Sequence, residues 1–181
     1  MNRWIGLLRG INVGGANRLP MADLRDELER LGLASVRTYI QSGNVVFDSP
    51  HHDTAEALAG RIETAIEARH GFRPRVLVLS ATRFRGAMEA NPFPEGEPEP
   101  KTLHLFFLAG TPDEVDLPAF QAVVSPTERF HLGDGVFYLH APDGIGRSKL
   151  ATRTEALLGV PATARNWRTV TKVWEMVEEP D

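Results

Sequence analysis

Apolar positions along the chain switch between a period near two and a period near 3.6, and they do so twice in the same order. Residues 4–9 are an apolar run of strand length, and Pro20 then stands at the first position of a predicted helix. Met21, Leu24, Leu28 and Leu31 recur at helical spacing there, and Gly32 closes the segment. On its opposite face Arg25 with Glu29, and Asp26 with Arg30, are expected to pair in solvent. Two β-rich runs follow, residues 36–40 and 45–48, joined by Gln41-Ser42-Gly43-Asn44 as a hairpin connection. Asp53 or Thr54 caps a second helix with Leu58, Ile62 and Ile66 inward and Gly71 at its end, and residues 75–79 form a well-buried strand. The order β-α-β-β-α-β is that of a ferredoxin-like unit.

Ser80 can cap a short helix with Phe84 and Met88 inward, after which NPFPEGEPEPK, residues 91–101, places four prolines in eleven residues and reads as a linker. The order then returns: strand 103–108, helix 112–123, strand 128–132, the tight Gly133-Asp134-Gly135, strand 136–140, helix 148–158 and a short extended piece through Thr163. Arg37 and Gly43 bracket the first hairpin as Arg129 and Gly135 bracket the second. Gly71-Phe72 and Gly159-Val160 end equivalent helices. Residues 166–179 predict a last helix, capped by Asn166, with Trp167, Val170, Trp174 and Val177 on its core face. The expected fold is α+β: two tandem ferredoxin-like (βαββαβ) subdomains with antiparallel sheets, residues 1–90 with the trailing short helix and residues 102–181 with a C-terminal helix.

A 181-residue chain with 42% hydrophobic and 24% charged residues can bury a core unaided, and no stretch nears the ~18 apolar residues of a membrane span. The N-terminal run contains Arg9 and leads into the fold pattern, so it is read as a strand and not as a signal peptide. Zero cysteines exclude disulfides, thiol nucleophiles and thiolate metal sites, and point to the cytoplasm. His51, His52, His70, His104, His131 and His140 lack metal-ligand spacing, so no metal and no cofactor are expected. The net charge of −4 hides an asymmetry: residues 90–116 hold six acids against Lys101, whereas residues 147–172 hold six bases against Glu155.

Candidate chemistry gathers in three places. The glycine-rich stretch LLRGINVGGAN can cradle an anion or polar ligand with Arg9 as a fork donor, Asn12, and the backbone N–H groups of Gly14 and Gly15. It lacks the Lys-Ser/Thr of a phosphate loop that hydrolyses nucleotides, and its glycines also suit a plain turn. Gln41, Ser42 and Asn44 offer polar contacts or simply hairpin geometry, with no nucleophile elbow or triad. Ser148 and Lys149 with Arg147 at one helix start, and Thr163, Arg165 and Asn166 with Arg168 at another, put cations where helix N-termini already attract anions. Capping by Ser148 and Asn166 is the alternative.

These features favour a binding module for a small anionic ligand, a nucleotide or a short nucleic-acid segment, with no membrane partner. Neither half has the exposed aromatic run of a sequence-specific RNA reader. The alternatives are an enzyme on a small phosphorylated or carboxylated substrate, with Lys149 or Arg165 as electrostatic stabiliser, and a structural or self-associating protein.

LLRGINVGG, PMADLRDELERLG, VRTYIQSGNVVF, GRSKL and TARNWRTV, in this order, resemble the bacterial family known as domain of unknown function 1697. The resemblance spans nearly the whole chain and implies an uncharacterised bacterial protein with no assigned activity. Where the family usually reads RNWNT, this chain has Arg168, which replaces an asparagine amide with a positive charge.

Overall fold

In the computed structural model, which describes residues 2–50 and 53–179, the first repeat consists of β1 (Asn2–Arg9), α1 (Met21–Arg30), β2 (Ala34–Tyr39), β3 (Asn44–Ser49), α2 (Ala55–His70) and β4 (Arg75–Ser80). His51 and His52 lie outside the described residues. The four strands form an antiparallel sheet in the order β2-β3-β1-β4, as a split βαββαβ unit requires. Trp4, Leu8, Val45, Phe47, Val76 and Val78 alternate onto one face and pack with Leu24, Leu28, Leu58, Ile62 and Ile66 of the two helices. Ile5, Leu7, Val46 and Leu79 are buried as well, although they alternate onto the opposite face.

After α3 (Ala81–Glu89) the second repeat runs β5 (Leu103–Leu108), α4 (Leu117–Gln121), β6 (Arg129–Gly133), β7 (Val136–His140), α5 (Lys149–Leu158) and β8 (Ala162–Asn166), and α6 (Trp167–Glu178) closes the chain. Its antiparallel sheet is ordered β6-β7-β5-β8, which matches the first strand for strand. Phe106, Leu108, Phe120, Phe137, Leu139, Leu150 and Leu158 form its core.

Hydrogen bonds repeat along with topology. Leu8 N donates to Gly43 O at 2.8 Å, and Leu108 N donates to Gly135 O at 2.9 Å. Thr54 caps α2 through Ala57 N, and Ser148 caps α5 through Ala151 N. Both helices end on a left-handed glycine, Gly71 or Gly159. Asn166 Oδ1 accepts from Thr169 N at 3.0 Å and so caps α6, while Ser80 Oγ accepts from Arg83 N in the first turn of α3.

Several local expectations are revised. The helix expected over residues 112–123 is only five residues long, because Pro118 lacks an N–H and fits at a helix start, where Asp116 accepts from Ala119 N at 3.0 Å. Pro20 stands at the cap position and not at the first helical residue. Arg30 pairs with Glu27 at 2.7 Å and Arg25 donates to Thr38 Oγ1, so the expected i,i+4 pairs give way to Glu27, which also holds Arg69 across to α2. The extended piece through Thr163 continues to Asn166 because it pairs with β5.

By contact, the chain divides into a unit running to Arg85 and resuming at Lys172, and a unit of Gly86–Thr171. The Pro/Glu-rich stretch falls inside the second unit. Its Phe93 is buried and stacks on His140, while Gly96 leaves a side chain only about 3 Å from Leu103 Cβ and the His140 ring.

Candidate functional site

The glycine-rich stretch folds as a small hairpin beyond β1. Asn12 N donates to Asn17 O, Ala16 N donates to Val13 O, and Gly14 and Gly15 at its tip have φ of 58° and 80°. Two successive positive φ values define a tight primed turn, which explains a Gly-Gly pair there. Asn12 ties this arm down: its Oδ1 accepts from Leu19 N at 2.8 Å, and its Nδ2 donates to Leu19 O and Gln41 O, each at 2.9 Å. The loop after β1 and the β2–β3 turn are therefore adjacent, at one end of the first sheet. Asn44 is fully buried and donates to Tyr39 O and Ser42 Oγ, so the Ser42 and Asn44 side chains hold the turn together. Arg9 is exposed and stands opposite exposed Arg75 across the β1–β4 pair.

Other basic residues serve the fold. Arg3 grips buried Asp48 with two bonds of 3.0 Å, and the guanidinium holds that carboxyl below the ordinary aspartate range. Arg3 also donates to the carbonyls of Val177 and Glu179, and Arg37 to that of Met176. Two arginines thus satisfy the carbonyl groups that the end of α6 leaves open.

In the second unit, the cationic motifs separate by role. Thr163 is buried opposite Phe107 within the sheet. Arg165 sits opposite Leu105, donates to Ala164 O, and is desolvated enough that burial pulls its pKa down to about 10. Ser148 is buried as a cap. Arg147, Lys149 and Arg168, by contrast, are exposed.

Two backbone bonds bring these exposed cations to the same end of the second sheet. Ala141 N donates to Thr102 O at 2.8 Å, and Arg168 N donates to Pro100 O at 3.3 Å. Residues 141–149 and 166–168 therefore flank the start of β5, and α5 and α6 both begin there. Neither helix has an acid in its first turn, whereas α1 has Asp23 and α2 has Glu56. A cation at a helix N-terminus opposes the macrodipole.

Between residues 125–128 and 141–147 at this end lies a pocket of about 170 Å³ lined by Ser125, Glu128, Ala141, Asp143, Gly144 and Arg147. Asp143 Oδ2 accepts from Thr127 Oγ1 at 2.6 Å, and Glu128 Oε2 accepts from Ser125 N at 2.9 Å. Among the described residues, the second oxygen of each carboxylate and the guanidinium of Arg147 make no hydrogen bond or ion pair. No stretch of sequence announces this pocket, since its walls come from two loops separated by the β6–β7 hairpin. Among the described residues, no group of three or more His, Asp or Glu side chains is placed to hold a metal ion, and no helix is long and apolar enough to cross a membrane.

The model of the family described as "Protein of unknown function (DUF1697)" matches residues 1–138. Among solved structures, that of the conserved bacterial protein SP0830 from Streptococcus pneumoniae is similar at 28% identity with a TM-score of 0.70, over 98% of this chain and 99% of that one. No curated protein matches. The chain belongs to the DUF1697 family.

Proposed function

We propose that this member of the DUF1697 family is a binding module built from two ferredoxin-like repeats, and that its ligand is phosphate-bearing, a nucleotide or a short nucleic-acid segment. The ligand's anionic group is held where α5 and α6 begin. One observation carries the reading: two helices start at the same end of the second sheet with cations and no acid in their first turns. The positive dipole end attracts an anion, and Arg147, Lys149 and Arg168 strengthen the field. Without an anion the same cations oppose the dipole, so their placement is best explained by a ligand that neutralises them.

A thermal-shift titration with inorganic phosphate and ribonucleotides tests this. A ligand at about 100 times its Kd stabilises by about 2.7 kcal/mol, a shift of several degrees for a domain of this size. Lys149→Ala with Arg168→Ala is expected to abolish the shift while leaving the ligand-free midpoint unchanged, because both side chains are exposed. No stabilisation by any phosphate compound rules the reading out.

A further inference from the structure

The pocket lined by Ser125, Glu128, Asp143 and Arg147 combines opposite charges that do not pair with one another. A guanidinium facing two carboxylates in one small cavity ordinarily closes into an ion pair. Here Asp143 is turned to Thr127 and Glu128 to the Ser125 amide, which leaves one oxygen of each carboxylate and the whole Arg147 fork for another partner. Two acceptor-only oxygens beside a multiple donor complement a group rich in hydroxyls that also carries an anion. A simple anion fits poorly, because both carboxylates repel it.

Size narrows the class. About 170 Å³ has room for about six waters, enough for a five-membered sugar ring. Only Ser148 separates Arg147 from the first helical residue of α5, so a ring in this pocket stands beside the helix start that attracts phosphate.

We propose that this pocket takes the ribose of a ribonucleotide: Asp143 and Glu128 accept hydrogen bonds from the ring hydroxyls, and Arg147 donates to the 5′-phosphate at the start of α5. The inference rests on the anion reading above and adds the sugar to it. Carboxylates that accept from a 2′-hydroxyl separate ribose from deoxyribose, because the deoxy sugar offers no hydroxyl to that acceptor.

Base-free probes isolate the sugar. The full-length ¹⁵N-labelled protein is titrated by NMR with ribose 5-phosphate, 2-deoxyribose 5-phosphate and inorganic phosphate. Ribose 5-phosphate is expected to shift the amides of residues 125–128 and 141–149 and to bind about tenfold more tightly than the deoxy sugar. In Asp143→Asn and Glu128→Gln, whose amide oxygens can still accept from Thr127 and the Ser125 amide, that ratio falls towards one while the response to inorganic phosphate persists. Equal binding of the two sugars, or ribose-dependent shifts confined to other residues, overturns the ribose assignment and leaves phosphate binding standing. If none of the three probes shifts the α5 amides, the anion reading fails and this inference fails with it.

Discussion

The side-chain amide of Asn12 donates to the backbone oxygen of Gln41 at 2.9 Å, so one residue couples the loop after β1 to the β2–β3 turn. The same side chain accepts from and donates to Leu19, which starts the approach to α1. Asn12 also has φ of 55°, a conformation asparagine tolerates better than other side chains. Asn12→Ala therefore loses three hydrogen bonds and adds backbone strain. We expect destabilisation of about 2–4 kcal/mol, read as a lower urea midpoint.

Glycines of this region divide into those that need only φ and those that also need space. Gly14 has φ of 58° with open space around it, so Gly14→Ala is expected to cost about 1 kcal/mol. Gly43 has φ of 77°, and a Cβ there would stand 2.7 Å from Leu8 Cβ and 2.8 Å from Ile11 Cδ1. Gly43→Ala must push the first sheet away from its turn, and about 3 kcal/mol or more is expected. Equal urea midpoints for the two variants would contradict this account of the turn.

Among the described residues, Arg3 and Asp48 form the most buried ion pair of the first sheet. Asp48 has a lowered pKa in the folded state, chiefly through its hydrogen bond to Arg3, so its contribution is present above the unfolded carboxyl value. That contribution disappears as pH falls through the lowered folded value. Arg3→Met strands the carboxylate and releases the carbonyls of Val177 and Glu179. It should cost about 3 kcal/mol at pH 7, and the difference from wild type should shrink on acidification.

His104 is 6% exposed, and burial pushes its pKa from 6.5 down to about 4. As pH falls, the unfolded chain takes up the proton first, so the stability this residue contributes is complete above about 6.5 and is lost between there and about 4. Wild type should lose about 2 kcal/mol more than His104→Leu between pH 7.5 and 5, measured by urea unfolding. Parallel pH profiles for the two proteins would contradict the burial effect.

What the sequence makes legible here is local. Thr54, Ser148 and Asn166 read as caps because a cap acts within three residues, and Gly71 and Gly159 read as helix ends for the same reason. α4 is shorter than its apolar spacing suggests because a single proline sets its start. Arg3 and Arg37 gave no sign of holding the end of α6, whose carbonyls lie 139–176 residues along the chain. Asn12 reads as a ligand contact in a glycine-rich loop, yet its hydrogen bonds go to Leu19 and Gln41, a pairing that depends on which sheet end the hairpin turn occupies. Lys149 and Arg168 are legible as charges, but the bonds of Thr102 and Pro100 that bring their segments together are products of topology. Arg165 looks equivalent to them in sequence and is desolvated in the folded protein.

The salt dependence of oligonucleotide binding tests the proposed site most directly. Fluorescence anisotropy of a short labelled RNA strand is followed from about 50 to 200 mM salt, for wild type and for the Lys149→Ala, Arg168→Ala double variant. Three phosphate contacts, from Arg147, Lys149 and Arg168, predict a log–log slope of about −2, and removal of two of those cations should reduce its magnitude by more than 1. A flat salt response, or a double variant that binds with the wild-type slope and affinity, would contradict an anion site at the start of α5 and α6.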